Sequence, residues 1–110
     1  MGCVFCDIAA GSVPATVVAA DDRAVAIADI RPQAPTHVLV LPREHVASVV
    51  DADPELVAHL LAMAIRVARE EQCLEAGFRL VVNTGDDGGQ TVPHLHVHLL
   101  AGRRLGWPPG

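Results

Sequence analysis

The sequence predicts an α+β fold: a five-stranded antiparallel sheet with one long and one short helix. Three observations carry this. The chain has 110 residues, 51% hydrophobic and 19% charged, enough for one domain over residues 1–110 and too few for a second core. Apolar runs of strand length follow one another mostly across short turns, which favours antiparallel neighbours. One stretch repeats its apolar residues at helical spacing.

The elements follow in order. Cys6–Ala10 with Gly11 behind it reads as a short helical turn with a glycine stop. Val13–Ala19 and Arg23–Asp29 are apolar or β-branched runs around the turn pair Asp21-Asp22, which predicts a hairpin. Ile30–Pro35 contains two prolines and is a loop. His37–Leu41, closed by Pro42, is almost wholly apolar and is expected to be a central strand. Asp53 is a suitable N-cap, Pro54 fits the first helical position and Glu55 complements the positive end of the helix dipole. Val57, Leu60, Leu61, Ala64, Val67 and Ala68 share one helical face, and the helix is expected to end near Ala76-Gly77. Phe78–Asn83 is a fourth strand, Gly85–Gly89 a polar loop and His94–Leu100 a fifth strand. Gly102–Gly110 is rich in Pro and Gly, and residues 103–110 read as a C-terminal tail.

Composition removes several function classes. All eight cationic side chains are Arg, so a Walker-type phosphate loop and Schiff-base chemistry both lack their lysine. Ser12 and Ser48 are the only serines, and neither sits in a G-x-S-x-G elbow. A net charge of −5 offers no basic face for nucleic acid. The most apolar stretch, Leu56–Ala68, is interrupted by His59 and Arg66, so no membrane span is expected. The N-terminus lacks the features of a secretory leader, and a cytoplasmic location is the expectation. Six His among so few charged residues direct attention to imidazole chemistry. His59 reads as a surface or boundary residue, and the pair Arg103-Arg104 as solvated, with steering of anionic substrates the alternative for the arginines.

His94-Leu95-His96-Val97-His98-Leu99-Leu100 alternates polar and apolar residues with period two. On a strand this puts three imidazoles on one face, with Cβ atoms roughly 6.5–7 Å apart, close enough for one small anion to meet two rings. The segment follows Gly88-Gly89-Gln90-Thr91, whose amides and side chains suit phosphate oxygens. Three readings stay open on spacing alone: core histidines, a catalytic metal site, or nucleophilic attack by imidazole on phosphorus. Cys3-x-x-Cys6 is equally open between redox, metal and incidental roles, although its position at the chain start is unlike a thioredoxin motif. Cys73 falls in a helix-like stretch and reads as a small buried hydrophobe.

The His-φ-His-φ-His-φ-φ pattern resembles the histidine triad (HIT) superfamily of nucleotide hydrolases and transferases. The likeness spans nearly the whole chain. It takes in Asp29–His37, Leu41–His45, Val82–Gly85, Gly88–Thr91, the triad and Gly102 through Trp107-Pro108-Pro109-Gly110. The Trp-Pro-Pro-Gly terminus looks like the Hint branch, the nucleoside phosphoramidases, rather than the Fhit-type dinucleoside polyphosphate hydrolases.

That resemblance implies specific roles. His96 would be the nucleophile at the α-phosphorus. His98 would hold phosphate oxygens with Asn83, Gln90 and the Gly89–Thr91 loop, and Thr91 would relay a proton near the leaving nitrogen. His37 would support the imidazole network, and Asp29 would accept the ribose hydroxyls. Phe5, Ile8, Ile27, Ile30 and Leu39 would wall the purine base, and Trp107 would lie near a partner subunit's site. Relatives also carry a structural zinc, whose ligands would here be Cys3, Cys6, His45 and His94, a set suited to tetrahedral Zn. The implied protein is a homodimer with a sheet continued across its two-fold axis. It would use no organic cofactor and would hydrolyse purine nucleoside 5′-phosphoramidates through a nucleotidyl-histidine. Dinucleoside polyphosphate hydrolysis, a nucleotide-binding regulatory role and a zinc hydrolase using the whole triad are the alternatives.

Overall fold

The computed structural model describes residues 2–110. Helix α1 (Val4–Ala9) precedes the hairpin of β1 (Val17–Ala20) and β2 (Ala24–Ala28). Strand β3 (Thr36–Pro42), a 3-10 turn at Val49–Asp51, helix α2 (Pro54–Glu70), β4 (Phe78–Val81) and β5 (Val97–Ala101) complete the domain. All strand pairs are antiparallel, in the order β1-β2-β3-β5-β4. The expected five-stranded sheet with a long and a short helix is therefore present, with β3 at its centre.

Period-two alternation divides the sheet into two faces. Ala24, Ala26, Val38, Val40, Val97, Leu99 and Ala101 pack under α2 against Leu56, Leu60, Met63, Ala64, Val67 and Ala68. The buried stripe on α2 is turned slightly from the expected one: Val57 and Leu61 are half-buried at its margin, and Leu56 and Met63 take the centre. On the opposite face Val25, Ile27, Leu39 and Leu41 pack against Phe5 and Ala9 of α1. That second face carries the histidines.

Element ends differ from expectation for identifiable reasons. Asp53 caps α2 as expected, its carboxylate accepting the Leu56 N–H at 2.9 Å. The helix stops at Glu70, well before Gly77. Gln72 adopts φ 61°, its N–H reaches Arg69 O at 3.1 Å, and the Cys73 N–H reaches Ala68 O at 2.8 Å. This is a Schellman closure with Gln where Gly is usual, anchored by buried Cys73 against the core. Cys73 is thus buried, as read, but lies beyond the helix. Strand β1 starts at Val17 rather than Val13, behind Pro14, which has no N–H to give a ladder. Strand β4 ends at Val81 instead of Asn83, and β5 begins at Val97 instead of His94. His94, Leu95 and His96 are therefore not ladder residues; the Leu95 N–H instead reaches Val46 O at 2.7 Å. The alternation survives this, with Leu95, Val97 and Leu99 all in the α2-facing core.

Candidate active site and metal centre

Sheet register brings the imidazoles together. Leu39 pairs with His98 and His37 with Leu100, so His37 and His98 are diagonal neighbours on the face away from α2. His37 Nε2 lies 2.9 Å from His98 Nδ1. The protons of this chain follow from its ends. The Gln33 N–H donates to His37 Nδ1 at 3.0 Å, so that nitrogen carries a lone pair and the ring proton sits on Nε2. His37 Nε2–H therefore donates to His98 Nδ1, and the proton of neutral His98 is on Nε2. His98 Nε2 is, among the described residues, the buried side-chain polar atom with no hydrogen-bond partner. It is a donor aimed at nothing in the protein.

His96 is fixed in the complementary state. Its Nδ1 lies 2.8 Å from His94 O, and a carbonyl only accepts, so the ring proton is on Nδ1 and Nε2 keeps its lone pair. Phe5 holds the ring edge-on, with centroids 5.0 Å apart, and the His96 and His98 rings are also 5.0 Å apart. A lone-pair nitrogen and a desolvated N–H donor thus stand side by side. Burial, with His96 and His37 nearby, pushes His98 down to about 4, an effect that Asp29 opposes. Burial also lowers His37, again against the pull of Asp29. Both rings of the relay are neutral near pH 7.

The first triad histidine belongs to a different centre. His94 is fully buried and its Nε2–H donates to Pro42 O at 2.8 Å, leaving the Nδ1 lone pair directed at sulfur. His94 Nδ1 is 3.3 Å from Cys3 Sγ and 3.4 Å from Cys6 Sγ, and His45 Nδ1 is 3.3 Å from Cys6 Sγ. The four donor atoms lie within 4.8 Å of one another. Zn–S and Zn–N bonds at tetrahedral angles require sulfur–nitrogen separations of about 3.5 Å, so the cage is the right size. The Cys6 thiol is pushed up by its hydrogen bond with Cys3, then by burial and by the charges of Cys3 and Asp7, strain that a divalent cation relieves.

Asp29, His37 and His98 also bring three potential ligand atoms within 4.8 Å of one another. The hydrogen bonds argue against a metal there. The Gln33 N–H occupies His37 Nδ1 and keeps the proton on Nε2, the nitrogen a metal would need. This cluster is a proton-ordered relay.

A family model for the HIT domain matches residues 10–105. The chain belongs to the HIT family. It is similar to the crystal structure of a HIT family hydrolase from Legionella pneumophila, with 49% identity and a TM-score of 0.96 over 99% of this chain and 100% of that one. A 14 kDa zinc-binding protein of Zea mays is 43% identical over 97% of this chain and 87% of its own length. A Zn-bound histidine triad protein of Mycobacterium smegmatis, 36% identical, superposes with a TM-score of 0.85 over 100% of this chain and 81% of that one. Together with the donor geometry, these likenesses make Cys3, Cys6, His45 and His94 the structural zinc site of this HIT domain.

The other residues named from the sequence are placed differently from one another. Phe5, Ile27 and Leu39 are buried in one apolar cluster with Ile8 against it, forming a wall beside the imidazoles. Asn83 is half-buried after β4, while Gly89 and Thr91 are exposed on the loop. Gln90 differs from expectation: its Nε2 donates to Ala47 O at 2.7 Å and Val92 O at 3.0 Å, and its Oε1 accepts the Gly85 N–H at 3.1 Å. Its amide clamps the loop and has no free donor turned to the histidines. Asp29 accepts the Arg31 N–H at 2.8 Å and stands 3.4 Å from His37 Nε2, at the edge of the site. Ile30 and Trp107 are 92% and 81% exposed, and neither joins the wall within the subunit. Nothing in the residue pattern marks the Gln33 amide or the His94 carbonyl, because backbone groups carry no residue signature.

Proposed function

We propose that this HIT protein hydrolyses purine nucleoside 5′-phosphoramidates of the Hint type, through a nucleotidyl group carried on His96. The observation that carries the reading is the bond from His96 Nδ1 to His94 O, which leaves the Nε2 lone pair available beside the unpartnered His98 Nε2–H. In the first step Nε2 of His96 attacks the α-phosphorus and the P–N bond breaks. The departing nitrogen takes a proton, with the Thr91 hydroxyl as candidate relay. In the second step water attacks phosphorus and gives up a proton, which replaces the one taken by the amine, the P–Nε2 bond breaks and the nucleoside monophosphate leaves.

His98 Nε2–H donates to a non-bridging oxygen as negative charge grows there, and a desolvated donor is most effective in that role. Phe5, Ile8, Ile27 and Leu39 supply an apolar wall for the base, and Asp29 can accept from ribose hydroxyls. The zinc supplies no chemistry to these steps. When bound it holds His94, whose carbonyl sets the His96 tautomer. A zinc hydrolase using the whole triad loses support, because only His94 joins the metal cluster while Nδ1 of His96 and of His98 are hydrogen-bonded. Dinucleoside polyphosphate hydrolysis uses the same nucleophile; the Trp-Pro-Pro-Gly terminus favours the phosphoramidate.

Turnover on adenosine and guanosine phosphoramidates beside diadenosine polyphosphates tests the substrate class. His96→Asn is expected to lose about four orders of magnitude in kcat while still binding nucleotide. Quenching without acid should trap a labelled nucleotidyl group on His96. Near-normal turnover by His96→Asn would overturn the assignment.

A further inference from the structure

Arg103, one of a pair that reads as solvated, is engaged. Its Nε and one terminal nitrogen donate to Gln33 O at 3.2 and 3.0 Å, and its other terminal nitrogen donates to Arg104 O at 3.1 Å. Gln33 belongs to the loop between β2 and β3, where Pro32 and Pro35 remove backbone donors. Little else fixes Gln33 there: its side-chain amide donates to Arg31 O at 3.0 Å, and its own N–H donates to His37 Nδ1.

The geometry of the turn after β5 aims the guanidinium at this loop. Gly102 has φ +93°, a left-handed conformation suited to glycine, and a Cβ there would stand 2.7 Å from Pro35 Cβ. The close approach of Gly102 to Pro35 lets the chain fold over the loop, and Arg103 then closes a two-pronged clamp on one carbonyl. A planar fork makes this bond where a lysine ammonium would give only a point contact.

We propose that Arg103 is a positioning residue for the phosphate-binding imidazole. Holding Gln33 O keeps the Gln33 N–H on His37 Nδ1, which keeps the His37 proton on Nε2 and the His98 proton on the nitrogen facing substrate. The order runs Arg103, Gln33, His37, His98, with every link a hydrogen bond of 2.9–3.2 Å. The guanidinium is on the surface and touches no reacting atom; it acts by restricting where Gln33 sits. The catalytic consequence rests on the function proposed above, whereas the tautomer consequence does not.

Arg103→Met removes the fork and keeps much of the stem, and Arg104→Met removes an equal charge from the neighbouring position. Long-range nitrogen–carbon NMR correlations at pH 7.5 on the zinc-loaded protein report which ring nitrogen of His37 and His98 is protonated. Wild type and Arg104→Met should show Nε2–H on both rings, and Arg103→Met should show a mixture of tautomers. In phosphoramidate turnover, Arg103→Met should lower kcat by between about 10- and 100-fold with KM changed less than about twofold, as expected for lost orientation. Unchanged ring tautomers in Arg103→Met would overturn the proposal. So would an equal rise in KM in both variants with kcat intact, which would mark the arginines as steering charges. A wild-type protein inactive on phosphoramidates would defeat the proposed function and leave the NMR comparison to decide the role of Arg103.

Discussion

His37 Nε2 and His98 Nδ1 stand 2.9 Å apart on neighbouring strands, and the Gln33 amide at the far side of His37 decides which way their proton points. Both rings are held neutral by burial, so the arrangement resists acid until the rings are forced to charge.

That resistance has a sign. His98 is pushed down to about 4 from its ordinary value of 6.5, so between those values the unfolded chain binds more protons than the folded one. Folding stability contributed by His98 is complete above about pH 6.5 and declines as pH falls toward 4; His37, also lowered, acts in the same direction. Urea midpoints between pH 4 and 7 should fall with acid in wild type and fall less steeply in His98→Asn. Equal slopes would contradict the neutral relay.

Zinc removal should be costly, because His94 is buried between the two centres and its carbonyl holds His96. Protein purified without chelator should contain one Zn per chain. Cys3→Ser and Cys6→Ser should each lower Tm by about 10 °C or more, equivalent to a loss of roughly 2 kcal/mol for a domain of this size. Metal content far below one equivalent in wild type would refute the site.

Gln72 offers a test of the helix end. It is the non-glycine residue with positive φ, at 61°, among the described residues, and it is exposed. A left-handed conformation costs an L-residue about 1–2 kcal/mol, partly offset by the extra unfolded-state freedom of glycine. Gln72→Gly should therefore raise stability by about 0.5–1 kcal/mol, read as an increase in the urea midpoint with unchanged m-value. A decrease would show that the Gln72 side chain contributes more than its backbone costs.

Strand β4 is an edge whose four residues are all half-buried, and the tail beyond it leaves Trp107 exposed. We expect this edge to pair with a second copy, covering its open hydrogen-bonding groups and bringing Trp107 toward the partner's site. Light scattering at micromolar concentration should give a dimer. Removing Leu105–Gly110 should then alter selectivity among amine leaving groups; a monomer, or unchanged selectivity, would defeat the respective half of this expectation.

Local chemistry was legible in the residues themselves. Asp53 with Pro54 set the start of α2, the hairpin turned at Asp21, and alternation along His94–Leu100 divided ring from core. Periodicity reports which way side chains point, and burial follows from that. The likeness to HIT sequences groups Cys3, Cys6, His45 and His94 as ligands, although they are far apart in the chain. Tertiary structure alone decided the rest. Strand β5 inserts between β3 and β4, which no local signal specifies, and this insertion puts His98 diagonal to His37. Helix α2 stops at Glu70, with Gln72 in the left-handed turn beyond it and Cys73 drawn into the core, overriding the more obvious glycine. The proton positions on His37, His96 and His98 depend on the Gln33 amide and the His94 carbonyl. Every residue possesses such backbone groups, so only the folded chain can say which of them face an imidazole.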